Sequence, residues 1–168
     1  MSNIVNLLKQ ADIFYKLSPS QLEMIAALCE ERSYSPGQMI FPEGADSDEL
    51  YIILEGEVDI LINPGLVSGS KASEHQSRTI STLRRGESFG EIALVDEGLR
   101  SATARVGSSN ARLLLIPREK LLLLCESYPQ LGYRLMRNLA TDLAFKIRTL
   151  GLQMREQILY GTGAKQSR

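Results

Sequence analysis

A chain of 168 residues, 43% of them hydrophobic, is the size of one ordinary globular domain or of one domain with a helical extension. It can bury enough apolar surface to fold without a disulfide or a structural metal. Nineteen Lys and Arg against 20 Asp and Glu give a formal charge of −1, which excludes the basic field of a dedicated nucleic-acid binder while leaving room for a local basic patch.

The first residues, Met1-Ser2-Asn3-Ile4-Val5-Asn6, lack the charged and apolar regions of a signal peptide. Residues 4–14 read as a short amphipathic helix. Ser18-Pro19-Ser20-Gln21 starts a second, with Ser18 as N-cap, Pro19 at the first helical position and Gln21 closing a capping box. Leu22, Ile25, Ala26 and Cys29 then share one helical stripe, so residues 1–35 are expected to be helical, ended by Pro36-Gly37. Residues 36–117 have a different texture. Gly37, Gly44, Gly56, Pro64-Gly65, Gly86, Gly98 and Gly107 punctuate short β-type runs at 39–41, 50–54, 58–62, 79–83, 102–106 and 112–116. Short strands at that spacing predict an antiparallel sandwich or barrel. Residues 64–77, rich in Ser, Gly and Lys, read as a long mobile hairpin loop.

Pro117 opens a second helical region, residues 118–160. Residues 118–127 form a short helix that must stop before Pro129, because the residue ahead of a proline is pushed out of the helical region. A long helix over roughly residues 130–159 follows. Its Met136, Ala140, Leu143, Ile147, Leu150 and Met154 step 4-3-4-3-4, the spacing of a coiled-coil seam. The seam predicts a homodimer through this helix, against the plainer alternative of a helix packed on its own barrel. Gly151 weakens the helix by about 1 kcal/mol relative to alanine. Residues 161–168 read as a flexible tail.

Cys29 and Cys125 sit far apart among apolar neighbours and are expected to be inert thiols in a reducing compartment. No apolar run reaches the roughly 20 residues of a membrane span, so the expected location is cytoplasmic with no membrane span. The single histidine, His75, lies in the polar loop, which excludes a two-histidine metal site, and a histidine-based triad would need this one residue. No phosphate-loop or dinucleotide fingerprint is present. An enzyme is not expected, and neither a cofactor nor a metal site is indicated.

One segment carries chemistry: Phe89-Gly90-Glu91-Ile92-Ala93-Leu94, then Arg100-Ser101-Ala102-Thr103. Gly90 lets the backbone turn sharply and approach a ligand. Residues 91–94 can make one helical turn whose first N–H groups point at an anion. After a polar turn, Arg100 brings a permanently charged planar fork back to the same place. The alternative is that Glu91 and Arg100 form only a surface ion pair, worth about 0–1 kcal/mol.

These residues resemble the phosphate-binding cassette, here 89–103, of the cyclic-nucleotide-binding domain family, of the type found in the catabolite activator protein and protein kinase A regulatory subunits. The resemblance extends to Phe41-Pro42-Glu43-Gly44-Ala45-Asp46-Ser47, to Leu50-Tyr51-Ile52-Ile53-Leu54-Glu55-Gly56-Glu57-Val58 and to Leu83-Arg84-Arg85-Gly86-Glu87-Ser88, covering about residues 10–150. It implies a mainly β fold with flanking α: an antiparallel jelly-roll-like β-barrel with N-terminal helices and a long C-terminal helix.

By the same resemblance, Arg100 pairs with the exocyclic oxygens of a cyclic phosphate and Glu91 accepts from the ribose 2′-hydroxyl. The N–H groups of Ile92, Ala93 and Ala102 and the Ser101 hydroxyl complete the cradle, and Gly90 permits close approach. Ile60 and Leu83 flank the base. In the family a threonine after the arginine favours guanine; Ser101 stands there, so cAMP is expected over cGMP. The C-terminal helix is expected to supply a lid near Asp142, Phe145, Lys146 or Thr149. The family's transcription factors place a DNA-binding domain after that helix, and the residues following Leu159 leave no room for one, so no DNA partner is expected. The functional expectation is a stand-alone cyclic-nucleotide receptor signalling through its C-terminal helix to an unknown downstream protein. The alternative is a ligand-free scaffold that binds other proteins through that helix.

Overall fold

The sequence Leu50-Tyr51-Ile52-Ile53-Leu54 is apolar without alternation because the strand that carries it is buried on both faces. A computed structural model describes residues 2–46, 48–63, 77–96 and 98–161. Its strands are β1 (Glu30–Tyr34), β2 (Met39–Phe41), β3 (Glu49–Glu55), β4 (Glu57–Ile62), β5 (Arg78–Arg84), β6 (Ser88–Phe89), β7 (Thr103–Val106) and β8 (Ala111–Pro117). They form two four-stranded antiparallel sheets, ordered β1-β8-β3-β6 and β2-β7-β4-β5. The sheets face each other as a sandwich, and the pairings among the described residues do not close a barrel.

Alternation along β3 and β8 separates two cores. Tyr51, Ile53, Ala111, Leu113 and Leu115 point inward and meet Val58, Leu83, Phe89, Ala104 and Val106. Leu50, Ile52, Leu54, Leu114 and Ile116 point the other way, into a helical layer. That layer comprises α1 (Ser2–Leu8), a 3-10 turn at Asp12–Phe14, α2 (Pro19–Ala26), α3 (Arg118–Ser127) and α4 (Pro129–Gly161). Leu22 and Ile25 of α2, Leu121 of α3 and Leu131, Leu135 and Leu139 of α4 bury their side chains there.

The expected capping box is present. The Ser18 hydroxyl accepts from the Gln21 N–H, and the Gln21 side chain accepts from the Ser18 N–H at 2.9 Å. Two expectations change. Residues 1–35 are not wholly helical, because Glu30–Tyr34 pairs with β8 as an edge strand. The amphipathic stretch 4–14 splits into α1 and the 3-10 turn. The stripe expected as one seam on α4 also divides. Met136 and Leu143 pack against the helical core, whereas Ala140, Ile147, Leu150 and Met154 are exposed.

Both cysteines are half-buried and free; burial pushes the Cys29 thiol up to about 12 and also raises Cys125. Among the described residues, no helix is long and apolar enough to cross a membrane. His75, nearly all of the 64–77 stretch and the tail beyond Gly161 lie outside the described residues.

Candidate functional site

Tyrosine aside, three polar or charged side chains are buried among the described residues, and all three lie in one segment: Ser88, Glu91 and Arg100. Burying such groups is costly unless something compensates them, which makes their shared location the first mark of a site.

β6 delivers the chain to Gly90, whose φ of +76° lies in the left-handed region that glycine adopts without strain. A Cβ there would stand 2.5 Å from Nη1 of Arg100 and 2.9 Å from the Glu49 carbonyl oxygen, so any side chain would occupy the guanidinium's place. The 3-10 turn Glu91–Leu94 follows, and Leu94 anchors it in the helical core. The chain then returns to Arg100. The Arg100 N–H donates to the Ala45 carbonyl and the Arg100 carbonyl accepts from Gly44, each at 2.8 Å, so the β2–β3 turn fixes its backbone.

The Arg100 side chain is 6% exposed. Its Nη2 donates to the Glu49 carbonyl at 2.9 Å, and its Cζ lies 4.1 Å from the Phe41 ring centroid and 5.5 Å from that of Tyr51. Among the described residues, its Nε and Nη1 find no hydrogen-bond partner. Burial pulls the guanidinium below its ordinary range, opposed by Tyr51, Glu49, Asp48 and Glu91, yet arginine stays charged at any working pH. Two unmatched donors on a buried cation form a receptor for an anion with paired oxygens.

Glu91 is also 6% exposed, and it does not pair with Arg100. Instead Lys146, reaching across from α4, places its Nζ 2.9 Å from Glu91 Oε1 and 2.9 Å from Asp142 Oδ2. Burial lowers the Lys146 ammonium, but the attraction of Glu91 and Asp142 and the hydrogen bond to Glu91 outweigh it and hold it above its ordinary value. The surface ion pair weighed as an alternative from sequence is therefore absent among the described residues.

The remaining expected residues fall as follows. Ile92 is exposed on the turn, and Ala93 belongs to the same turn. Ser101 is exposed and Ala102 half-buried, directly after Arg100. Leu83 sits opposite Val58 in the inter-sheet core, where Ile60 packs two residues further along β4. Of the four lid candidates, Lys146 reaches Glu91 of the cassette, and Asp142 pairs with Lys146 on the same helix. Phe145 is exposed, and the Thr149 hydroxyl donates back to the Phe145 carbonyl. Phe41 and Tyr51, which form the floor beneath Arg100, were not distinguishable in sequence from ordinary strand aromatics.

A sequence model described as the cyclic nucleotide-binding domain matches residues 31–128, more than half of the chain. The chain belongs to that family. This cyclic nucleotide-binding domain is 32% identical over 147 residues to the cyclic AMP receptor protein of Thermus thermophilus, covering 88% of this chain and 62% of that protein. It is 30% identical over 114 residues to human cGMP-dependent protein kinase 2, covering 68% of this chain and 14% of the kinase. The crystal structure of Thermus thermophilus catabolite activator protein matches with a TM-score of 0.70 and 31% identity, over 86% of this chain and 62% of that one. The chain thus spans less than two thirds of the length of these relatives.

Proposed function

We propose that this domain is a receptor, not an enzyme, for a 3′,5′-cyclic nucleotide, cAMP in preference to cGMP, and that occupancy shifts the position of α4. The observation that carries this reading is the buried Arg100 guanidinium with two donors unmatched among the described residues, held against Gly90, where a Cβ would take its place. A cyclic phosphate supplies two exocyclic oxygens to such a fork. Glu91 offers Oε2 to the ribose 2′-hydroxyl, since Lys146 takes Oε1 and no donor among the described residues takes the other oxygen. The N–H groups of Ile92, Ala93 and Ala102 and the Ser101 hydroxyl complete the cradle, and Ile60 and Leu83 flank the base. Ser101, at the place where a threonine would favour guanine, supports adenine, as does the similarity to a protein named for cyclic AMP.

Ligand shifts the conformational equilibrium only through different affinity for two states. The element that both states engage is α4, tied to the cassette by Lys146. The second half of α4 carries Ile147, Leu150 and Met154 exposed at coiled-coil spacing, which supports pairing with a second copy of this chain.

Isothermal titration of wild type and Arg100→Ala with cAMP and cGMP tests the assignment. Loss of one member of a buried charge contact costs about 2–5 kcal/mol, so Arg100→Ala should weaken cAMP binding by roughly 30- to 4,000-fold. Equal affinity in the two proteins overturns it.

A further inference from the structure

A second cleft, of about 640 Å³, lies between the Tyr15–Lys16 corner that follows the 3-10 turn and one face of α4 from residue 130 to residue 141; no cassette residue lines it. At 1.5 Å of rise per residue that face is about 16 Å long, the span of about five residues of extended chain. The wall opposite the helix is held in place: the Asn138 amide of α4 donates to the carbonyls of Ile13 at 3.0 Å and Tyr15 at 2.8 Å. Lys16 turns there at a φ of +62°, the one positive φ outside glycine among the described residues, and its Nζ lies 5.2 Å from the centroid of the Tyr15 ring. Lys16 on one wall and Arg134 and Arg137 on the other give the cleft three cations, and no Asp or Glu lines it. Among the described residues none of the three enters an ion pair. On a chain of formal charge −1, that concentration of one sign is local. The rings of Tyr15 and Tyr133, 62% and 66% exposed, line the same cleft. Tyrosine and arginine are the residue types that carry much of the binding energy where proteins meet.

We propose that this cleft docks a short acidic segment of another protein, bound extended, with its carboxylates on Lys16, Arg134 and Arg137 and an apolar or aromatic side chain against the two tyrosines. Charge complementarity selects the occupant. Residues 64–76 and 162–168 of this chain do not suit the cleft: the first stretch has a single acid, Glu74, offset by Lys71, and the second has Lys165 and Arg168 and no acid. A flat bilayer does not follow charges into a concave trough, and three cations on a chain of net charge −1 are too few for a nucleic-acid track. The surface stands whether or not the cassette takes a nucleotide, because the two share no residue.

The test titrates the full chain calorimetrically with a set of pentapeptides that carry Asp or Glu at the first, third and fifth places and Leu, Phe or Tyr between them. The best acidic peptide is expected to bind at least tenfold more tightly than its Asn or Gln counterpart and to weaken severalfold on going from low to high salt. Against a double variant, Arg134→Glu with Arg137→Glu, it should lose tenfold or more, since two attractions become two repulsions. Backbone amide shifts on binding should cluster at residues 15–16 and 130–141. No binding by any acidic peptide, or equal binding by the double variant, overturns the proposal. Binding of phosphatidylglycerol vesicles or of inorganic pyrophosphate without binding of the peptides also overturns it, and gives the cations to a lipid surface or a free phosphate. Altered sedimentation of the double variant overturns it in favour of a second copy of this chain. Both arginines are exposed, and Arg134→Gln with Arg137→Gln repeats the comparison should the charge-reversed protein fail to fold.

Discussion

Replacing Gly90 by alanine perturbs the site at its tightest point. An L-residue at φ +76° pays about 1–2 kcal/mol for the left-handed conformation. The new Cβ also meets Nη1 of Arg100 at 2.5 Å and the Glu49 carbonyl at 2.9 Å, distances that real Cβ atoms do not sustain. The guanidinium can swing aside but the carbonyl belongs to β3, so relief requires backbone movement, an overpacking cost of about 1–3 kcal/mol. Restricting the unfolded chain returns about 0.4–1 kcal/mol. The net expectation is a destabilisation of about 1–4.6 kcal/mol, a fall of roughly 2–18 °C in Tm for a domain of this size. Gly37→Ala is the control. Its φ is +74° and nothing lies within 4 Å of the added Cβ, so it carries the backbone cost without the collision. Thermal unfolding and calorimetric titration with cAMP on both variants give the comparison. Gly90→Ala should melt below Gly37→Ala and lose at least tenfold in affinity, while Gly37→Ala binds as wild type does. If the two variants melt together and bind alike, the close approach between Gly90 and Arg100 has no energetic meaning and the reasoning fails.

Leu135→Ala removes a fully buried side chain where α4 meets the helical core and should cost about 2–5 kcal/mol in chemical denaturation, with a cost under 1 kcal/mol contradicting the packing described. Ile147→Glu combined with Leu150→Glu places charge on residues that are 68% and 49% exposed. Analytical ultracentrifugation should find wild type dimeric and this variant monomeric with unchanged helicity, and identical sedimentation of the two would remove the α4 seam as an interface.

Much of the architecture was written in local patterns. The capping box at Ser18 and Gln21, the glycines between strands and the Pro117 and Pro129 boundaries each act over a few residues, and the elements follow them closely. β1 escaped because Glu30-Glu31-Arg32-Ser33-Tyr34 has no apolar face to signal; it is an edge strand with four exposed residues in five, held through backbone pairing with β8. β6 is two residues long, too short for any period. The seam on α4 read as continuous because periodicity records which residues share a face, not what covers that face. At 33 residues the helix is about 50 Å long and outruns the helical core after Leu143.

The cassette was legible because Gly90 and Arg100 lie ten residues apart and a single turn returns one to the other. Its surroundings were not. Phe41 and Tyr51 come to Arg100 from two strands of different sheets, and Lys146 comes to Glu91 from a helix. Such contacts are set by the stacking of layers, which no local spacing encodes.

The most direct measurement is a crystal structure of this chain grown with cAMP, read at Arg100. The account predicts that Nε or Nη1, or both, donate to exocyclic phosphate oxygens at about 2.7–2.9 Å, with Nη2 still on the Glu49 carbonyl. A nucleotide seated with its phosphate away from that guanidinium, and Arg100 unmoved beneath it, would contradict the account.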